Sequence, residues 1–263
     1  MRTLYQEGVG PGQRAVADGF RDKATGEACL DDNGAVNVLF DLDGTLTDPR
    51  EGIVACLKHA LRGVGQSSPP DAELLRYIGP PLRETFASLL GSAGPGAVEE
   101  AVALYRERFA ATGIFENVVY PTVPAALAEL QALGMTLYVA TAKLQLFAER
   151  IVDYFGLAGF FHRVYGSELD GTRAIKSELI AYVLRTESLS PDSTVMVGDR
   201  AHDVRGAVAN GVLPIGVLWG YGSREDLTTA GATVLCAQPA LLAALLRAHS
   251  HGDPTPAPSV PCC

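Results

Sequence analysis

Short runs of apolar, β-prone residues alternate with stretches of helical periodicity from residue 36 to residue 248, and this alternation constrains the fold more than any other feature of the chain. The first run is Val36-Asn37-Val38-Leu39-Phe40, and others cover residues 137–140, 161–165, 194–197, 214–218 and 233–235. Helical spacing of apolar residues marks 122–133, 144–155, 174–186, 203–209 and 239–248, with stops at Gly134 and at Asn210-Gly211. Strands that are apolar without a polar alternate are buried on both faces, and strands separated by helices run parallel. The pattern predicts an α/β fold, a parallel sheet with helices on both faces. Ligands of such sheets bind at the carboxyl ends of the strands.

One stretch departs from the alternation. Residues 51–114 are helical in character throughout, with Ile53, Leu57, Ala60 and Leu61 on one face and further periodic runs over 82–90 and 98–109. Gly and Pro clusters at 63–70, 79–81 and 91–96 cut it into short helices. It reads as a small all-α unit inserted after the first strand. The expected organisation is an N-terminal extension over 1–34, flexible and rich in Gly, a core over 35–50 and 115–248, the helical unit over 51–114, and a disordered Pro-rich tail over 249–263.

Composition narrows the function classes. With 48% apolar and 19% charged residues, the chain has the apolar surface that a disordered protein lacks. A formal charge of −9 argues against a nucleic-acid polymer as partner, because phosphate contacts need clustered Lys and Arg. The five cysteines, with no C-x-x-C pair, suggest neither a zinc site nor a disulfide framework, and the Cys262-Cys263 pair follows no polybasic segment. No signal peptide or membrane span is read, so the expected location is the cytoplasm, as monomer or homodimer.

Chemistry gathers at the predicted strand ends. Asp41 and Asp43 follow the first strand, Thr141 the second, and Gly198-Asp199 with Asp203 the fourth, while Lys176 opens the helix after the third. If those strands are neighbours, carboxylates, a hydroxyl and a lysine converge, as a metal and phosphate site requires. Mg²⁺ takes oxygen ligands, which Asp41 and Asp199 can supply together with the main-chain carbonyl of Asp43. Asp41 can attack phosphorus, and Asp43 can protonate the leaving oxygen and then deprotonate water. Gly44 permits close approach of backbone amides to phosphoryl oxygens, and Thr141 and Lys176 can donate to them. Taken alone, Asp41 and Asp43 could be a helix cap and a turn residue, and Asp203 a cap of its own helix.

The segment Phe40-Asp41-Leu42-Asp43-Gly44-Thr45-Leu46-Thr47-Asp48 resembles the first motif of the haloacid dehalogenase-like phosphohydrolases. Val139-Ala140-Thr141, Lys176 and Val197-Gly198-Asp199-Arg200-Ala201-His202-Asp203 resemble the other three, in order. The resemblance covers about residues 36–247 and implies a Rossmann-like core with a helical cap, as in the phosphoglycolate phosphatase-like branch. Three further stretches are similar to the 5′-nucleotidase-like subgroup: Tyr77-Ile78-Gly79-Pro80-Pro81-Leu82-Arg83, residues 165–173, and Gly216-Val217-Leu218-Trp219-Gly220-Tyr221-Gly222.

The resemblance implies a Mg²⁺-dependent phosphatase acting on a small phosphorylated metabolite, of the phosphoglycolate or nucleoside monophosphate class. By it, Asp41 is the nucleophile and Asp43 the acid/base. Asp41, Asp43 and Asp199 hold Mg²⁺, and Asp203 orients the fourth motif through water or Lys176. Phosphate falls to Gly44, Thr141, Ala142 and Lys176. Ala142 and Lys143-Leu144 depart from the Ser or Asn and the Lys-Pro frequent in relatives. Arg83 and Lys143 are candidate substrate contacts, with a surface ion pair as the plain alternative for Arg83. His202 reads as a helix-start residue, and Trp219 and Tyr221 as packing residues. A phosphomutase on the same scaffold and a non-enzymatic phospho-aspartate switch are the rival readings. The inserted unit and Asp43 speak against the switch.

Overall fold

The computed structural model describes residues 36–91 and 94–250. The expected extension over 1–34, with Cys29, and the Cys262-Cys263 pair lie outside the described residues. The chain runs β1 (Asn37–Phe40), β2 (Thr47–Asp48), α1 (Arg50–Gly63), α2 (Asp71–Leu74), α3 (Leu82–Leu90) and α4 (Pro95–Arg108). It continues through β3 (Val118–Val119), α5 (Val123–Ala132), β4 (Thr136–Leu144), α6 (Gln145–Tyr154), β5 (Arg163–Ser167) and α7 (Lys176–Glu187). The last elements are β6 (Thr194–Gly198), α8 (Ala201–Ala209), β7 (Leu213–Val217), α9 (Arg224–Ala230), β8 (Val234–Cys236) and α10 (Leu242–Ser250).

Six strands form one parallel sheet in the order β5-β4-β1-β6-β7-β8. The continuous apolar strands bury both faces, as their sequence requires. Val38 and Phe40 of β1, Leu137 and Val139 of β4, and Val195 and Val197 of β6 pack on one side with α5, α6 and α10. Leu39, Tyr138, Ala140 and Met196 pack on the other with α7 and α8. The fold is therefore the expected α/β sheet covered on both faces. In register, Phe40 lies between Val139 and Val197, so the carboxyl ends of β1, β4 and β6 sit side by side. The chain turns to opposite sides of β1 after it, which makes that end the switch point where a ligand crevice opens.

Helices α1 to α4 lie between β2 and β3, and they share an apolar interior that includes Leu57, Leu61, Leu74, Phe86, Leu90, Val102 and Phe109. A row of rings joins this unit to the core: Phe86 to Tyr105 at 6.1 Å, Tyr105 to Phe109 at 5.5 Å, and Phe109 to Phe147 of α6 at 5.2 Å. Strands β2 and β3 pair antiparallel, Thr47 with Val119 and Asp48 with Val118, so the chain enters and leaves the helical unit through one two-stranded hinge.

Several local boundaries differ from the sequence reading. The third strand starts at Arg163 rather than 161, because Phe160 and Phe161 are held in a turn through amide bonds to Leu157 and Ala158. Helix α9 was not expected. It buries only Leu227, so it has no apolar period, although its Ser223-Asp226 capping box is visible in the sequence. Helix α10 continues to Ser250, two residues into the tail expected from 249, and the rest of that tail lies outside the described residues. No helix among the described residues is long and apolar enough to cross a membrane.

Candidate active site

Strand β1 ends at Phe40, and the next residue, Asp41, is still held to the sheet by its amide bond to the Val197 carbonyl (2.9 Å). Its carboxylate Oδ1 lies 3.0 Å from Lys176 Nζ. Lys176 is the first residue of α7, is almost fully buried, and also donates to the Ala140 carbonyl at 2.8 Å and reaches Asp203 Oδ1 at 2.8 Å. Burial would lower the Lys176 pKa, but the Asp203 and Asp41 charges outweigh it and hold the ammonium above its ordinary range. Asp203 is the mirror case: burial would raise it, and Lys176 keeps it below the carboxylate norm. Its other oxygen, Oδ2, accepts the Arg200 amide at 3.0 Å and closes the start of α8. Asp203 thus closes its own helix with one oxygen and pairs with Lys176 through the other.

Asp43 pairs with the second buried lysine. Its Oδ2 lies 2.7 Å from Lys143 Nζ, and Oδ1 is buried without a hydrogen-bond partner among the described residues. Burial pushes the Asp43 carboxyl up, and Lys143 only partly opposes this. Lys143 Nζ also lies 4.3 Å above the Phe109 ring, which belongs to the helical unit. It is therefore enclosed between the core and that unit. Thr141 is buried on β4, and its hydroxyl accepts the Lys143 amide at 3.3 Å.

Asp199 follows β6 and is fully buried. Oδ2 accepts the Tyr221 amide at 2.8 Å and Oδ1 the Thr45 hydroxyl at 3.3 Å. Burial, then the charges of Asp203 and Asp41, push its carboxyl well up. Gly44 has φ +85°, and a Cβ there would lie 2.3 Å from Asp199 Oδ2, so only glycine permits this approach. The Gly44 amide itself is spent on the Thr47 carbonyl (2.7 Å). Gly44 thus gives room for the Asp199 carboxylate beside the turn.

Asp41, His202 and Asp203 offer ligand atoms within 4.8 Å of one another. The Lys176 ammonium already stands between two of these carboxylates, which makes that triplet a poor place for a second cation. Across the whole site, four buried carboxylates (Asp41, Asp43, Asp199, Asp203) face two buried ammonium groups. With all four ionised there would be an excess of two negative charges in a dry setting, which a divalent cation would offset. Asp199, with no lysine of its own, and the orphaned Asp43 Oδ1 mark the side on which such an ion would fit.

A cavity of about 350 Å³ opens above Asp41 and Asp43. Ala142 and Thr141 line it beside the lysine, and Ile53, Leu57, Tyr105, Phe109 and Phe147 form an apolar wall. Arg83 borders it but holds Glu99 in a two-bond pair at 2.7 and 3.3 Å. Arg106 donates to the Leu169 carbonyl at 3.3 Å. The bordering cations Lys143, Arg83 and Arg106 are thus each engaged by a protein acceptor. Trp219 and Tyr221, expected only to pack, make polar contacts: Trp219 Nε1 donates to the Thr45 carbonyl at 3.0 Å, and the Tyr221 hydroxyl donates to Asp48 Oδ1. No spacing rule could have found these bonds, which join residues 174 and 173 positions apart.

The chain is similar to several known proteins. The profile of a family described as haloacid dehalogenase-like hydrolase matches residues 38–217. A 5′-nucleotidase of Pseudomonas aeruginosa is 47% identical over 213 residues, 81% of this chain and 96% of the relative. Tyrosine-protein kinase PtkA of Mycobacterium tuberculosis is 38% identical over 199 residues, 75% of this chain and 67% of the relative. The crystal structure of a predicted phosphatase from Clostridium acetobutylicum superimposes with a TM-score of 0.77 at 37% identity, covering 81% of this chain and 98% of that one.

Proposed function

This chain belongs to the haloacid dehalogenase-like hydrolase family, and we propose that within it the chain is a Mg²⁺-dependent phosphatase of small phosphomonoesters, working through a phosphorylated Asp41. The observation that carries this reading is the placing of Asp41 and Asp43 together in the lining of the cavity, with Lys176 paired to Asp41 beneath it. Lys176 keeps Asp41 Oδ1 engaged, which leaves the other oxygen to attack phosphorus along a defined direction. The Lys176 charge and the Thr141 hydroxyl stabilise negative charge growing on the phosphoryl oxygens.

Asp43 gives its proton to the leaving oxygen, and burial favours the protonated form that this step needs. The carboxylate that results, steadied by Lys143, then takes a proton from the water that attacks the phospho-aspartate. Asp41 and Asp199 through their carboxylates, and Asp43 through its main-chain carbonyl, would hold Mg²⁺. When bound, the ion polarises the phosphoryl group and offsets the acidic excess. The helical unit over 51–114 serves as the cap that encloses the substrate.

The cavity also supports a choice of substrate class. Its wall beside Asp43 is apolar and aromatic, and the cations that border it are held by Asp43, Glu99 and Leu169. A second negative charge on the leaving group would find no free cation among these three. This favours an uncharged leaving group, such as the nucleoside of a nucleoside monophosphate, over the carboxylate of phosphoglycolate.

The test is phosphate release from p-nitrophenyl phosphate, nucleoside monophosphates and phosphoglycolate, with Mg²⁺ and with EDTA. Turnover should require Mg²⁺, favour nucleoside monophosphates over phosphoglycolate in kcat/KM, and fall by roughly 10³-fold or more in Asp41→Asn. Full activity in Asp41→Asn would end the aspartyl-phosphate mechanism. Substrate consumed without free phosphate would point to transfer onto a hydroxyl instead.

A further inference from the structure

The loop Leu218-Trp219-Gly220-Tyr221-Gly222-Ser223 takes no part in the chemistry above, yet it grips two elements that must stay aligned for that chemistry. On the sheet side, the Tyr221 amide donates to Asp199 Oδ2 at 2.8 Å, and Trp219 Nε1 donates to the Thr45 carbonyl at 3.0 Å. Thr45 in turn donates to the other oxygen of Asp199. The packing leaves no slack: a Cβ on Gly220 would sit 2.3 Å from Asp199 Cβ and 2.4 Å from the Gly44 carbonyl oxygen. On the hinge side, the Tyr221 hydroxyl donates to Asp48 Oδ1, on β2. The same oxygen accepts the amide of Arg50, the first residue of α1, at 3.1 Å. Arg200 adds a second link, donating to the Tyr221 carbonyl at 3.2 Å and to the Arg76 carbonyl of the helical unit at 2.6 Å.

One loop thus holds both oxygens of Asp199, directly or through Thr45, and the strand by which the chain enters the helical unit. We propose that residues 219–221 form a clasp that positions Asp199 for Mg²⁺ according to the placement of the helical unit, with Tyr221 as a positioning residue acting through Asp199 and Asp48. The proposal rests on the reading of Asp199 as a Mg²⁺ carboxylate. A carboxylate that must receive a cation binds it best when its rotamer is already fixed, and groups that orient ligands are commonly worth 10–100-fold in metal affinity. The clasp fixes the Asp199 rotamer, and its attachment to β2 makes that fixing depend on the hinge. Tyr221 therefore matters through its hydroxyl as well as through its amide, although the hydroxyl does not touch Asp199.

The chain carries its own reporter, because Trp219 is its single tryptophan. The experiment titrates the full chain with Mg²⁺ alone, following Trp219 emission and calorimetric heat, and compares wild type with Tyr221→Phe. That substitution keeps the ring and the amide bond to Asp199 and removes only the bond to Asp48. Mg²⁺ Kd should weaken by about tenfold, with kcat falling at limiting Mg²⁺ and recovering at saturating Mg²⁺, and substrate KM steady. Asp48→Ala should reproduce the effect, and Asp48→Asn, which keeps the accepting oxygen, should restore a Kd near wild type. Circular dichroism checks that each variant is folded. Were Tyr221→Phe and Asp48→Ala folded and within twofold of wild type in Mg²⁺ Kd, the clasp would be overturned while the phosphatase reading stood. A wild type that neither binds Mg²⁺ nor releases phosphate would overturn both.

Discussion

Two buried lysines stand at the carboxyl end of the sheet, and they are held in different ways. Lys176 sits between Asp41 and Asp203, on neighbours that all belong to the sheet and its helices. Lys143 has one carboxylate, Asp43, and on its other side the ring of Phe109 from the helical unit. The first lysine is a fixed part of the floor. The second is shared between the floor and the part that covers it, so its setting changes if the cover moves. In the proposed reaction, the attacking carboxylate, Asp41, is held by the sheet and its helices alone, while the proton-handling carboxylate, Asp43, is placed where the helical unit can act on it.

The larger effect is expected at Lys176. Lys176→Met keeps the shape of the stem and strands two buried carboxylates without their cation. A loss of about 3–5 kcal/mol in urea unfolding is expected, with phosphatase activity down by roughly 10³-fold or more. If stability were unchanged, the two carboxylates would not be relying on Lys176 for compensation, and the floor would be less rigid than the distances imply.

Lys143→Met should be milder in both respects. Asp43 can answer the loss by holding its proton, which burial already favours, so a stability change of about 1–2 kcal/mol is expected. The rate should fall by roughly 10–100-fold, and more for an alkyl leaving group than for p-nitrophenolate, which leaves with little acid assistance. Equal loss on the two substrates would place Lys143 on the phosphate rather than on Asp43.

How much of this could be read from the chain follows the same division. Asp41, Thr141, Lys176 and Asp199 stand at strand ends or a helix start, and apolar runs locate such ends well because both faces of each strand are buried. The structure brings those residues together for the reason the alternation suggests: β4, β1 and β6 are neighbours. The Lys143 pairing was not legible. It depends on a ring from the helical unit 34 positions away in sequence, and short helices cut by Gly and Pro clusters carry no sign of how they pack on a sheet. The bonds of Trp219 and Tyr221 were hidden because they join residues 174 and 173 positions apart. The offset of β5 arose because Phe160 and Phe161 look like strand residues and serve a turn. Arg83 falls between: its proximity to the cavity and a surface ion pair as its plain alternative were both legible, but Glu99 as the partner was not.

The two lysines also divide the pH response of the metal-free protein. Asp203 is held below its ordinary value of 3.8, so its contribution to stability is present above that value and is lost as pH falls through the lower folded one. Asp43 and Asp199 are raised, so the sign reverses: as pH rises from 3.8 through their folded values, charging them costs stability. Every tenfold difference in proton affinity between the folded and unfolded chain corresponds to about 1.4 kcal/mol. Urea midpoints measured in EDTA should therefore fall with rising pH in this range, and Asp43→Asn should flatten that fall. Asp203→Asn should instead remove the loss seen at the acid end. A wild-type midpoint that climbed steadily with pH would mean that the Lys176 half dominates the whole response.

The smallest expected effect separates a residue that borders the site from one that serves it. Arg83 lines the cavity, yet its guanidinium is exposed and turned onto Glu99 of α4. An exposed pair of this kind contributes little, because both ends are solvated and long side chains lose freedom in holding one geometry. Arg83→Ala should leave Tm within about 2 °C and KM for a nucleoside monophosphate within about twofold. A leaving group with its own carboxylate gives the sharper result. If Arg83 can release Glu99 and take the substrate instead, the wild type should hydrolyse phosphoglycolate with a KM that rises at least tenfold in Arg83→Ala. An unchanged KM for both substrates is what an Arg83–Glu99 pair that stays closed requires, and it would leave the apolar wall, rather than a charge, as the feature that selects the leaving group.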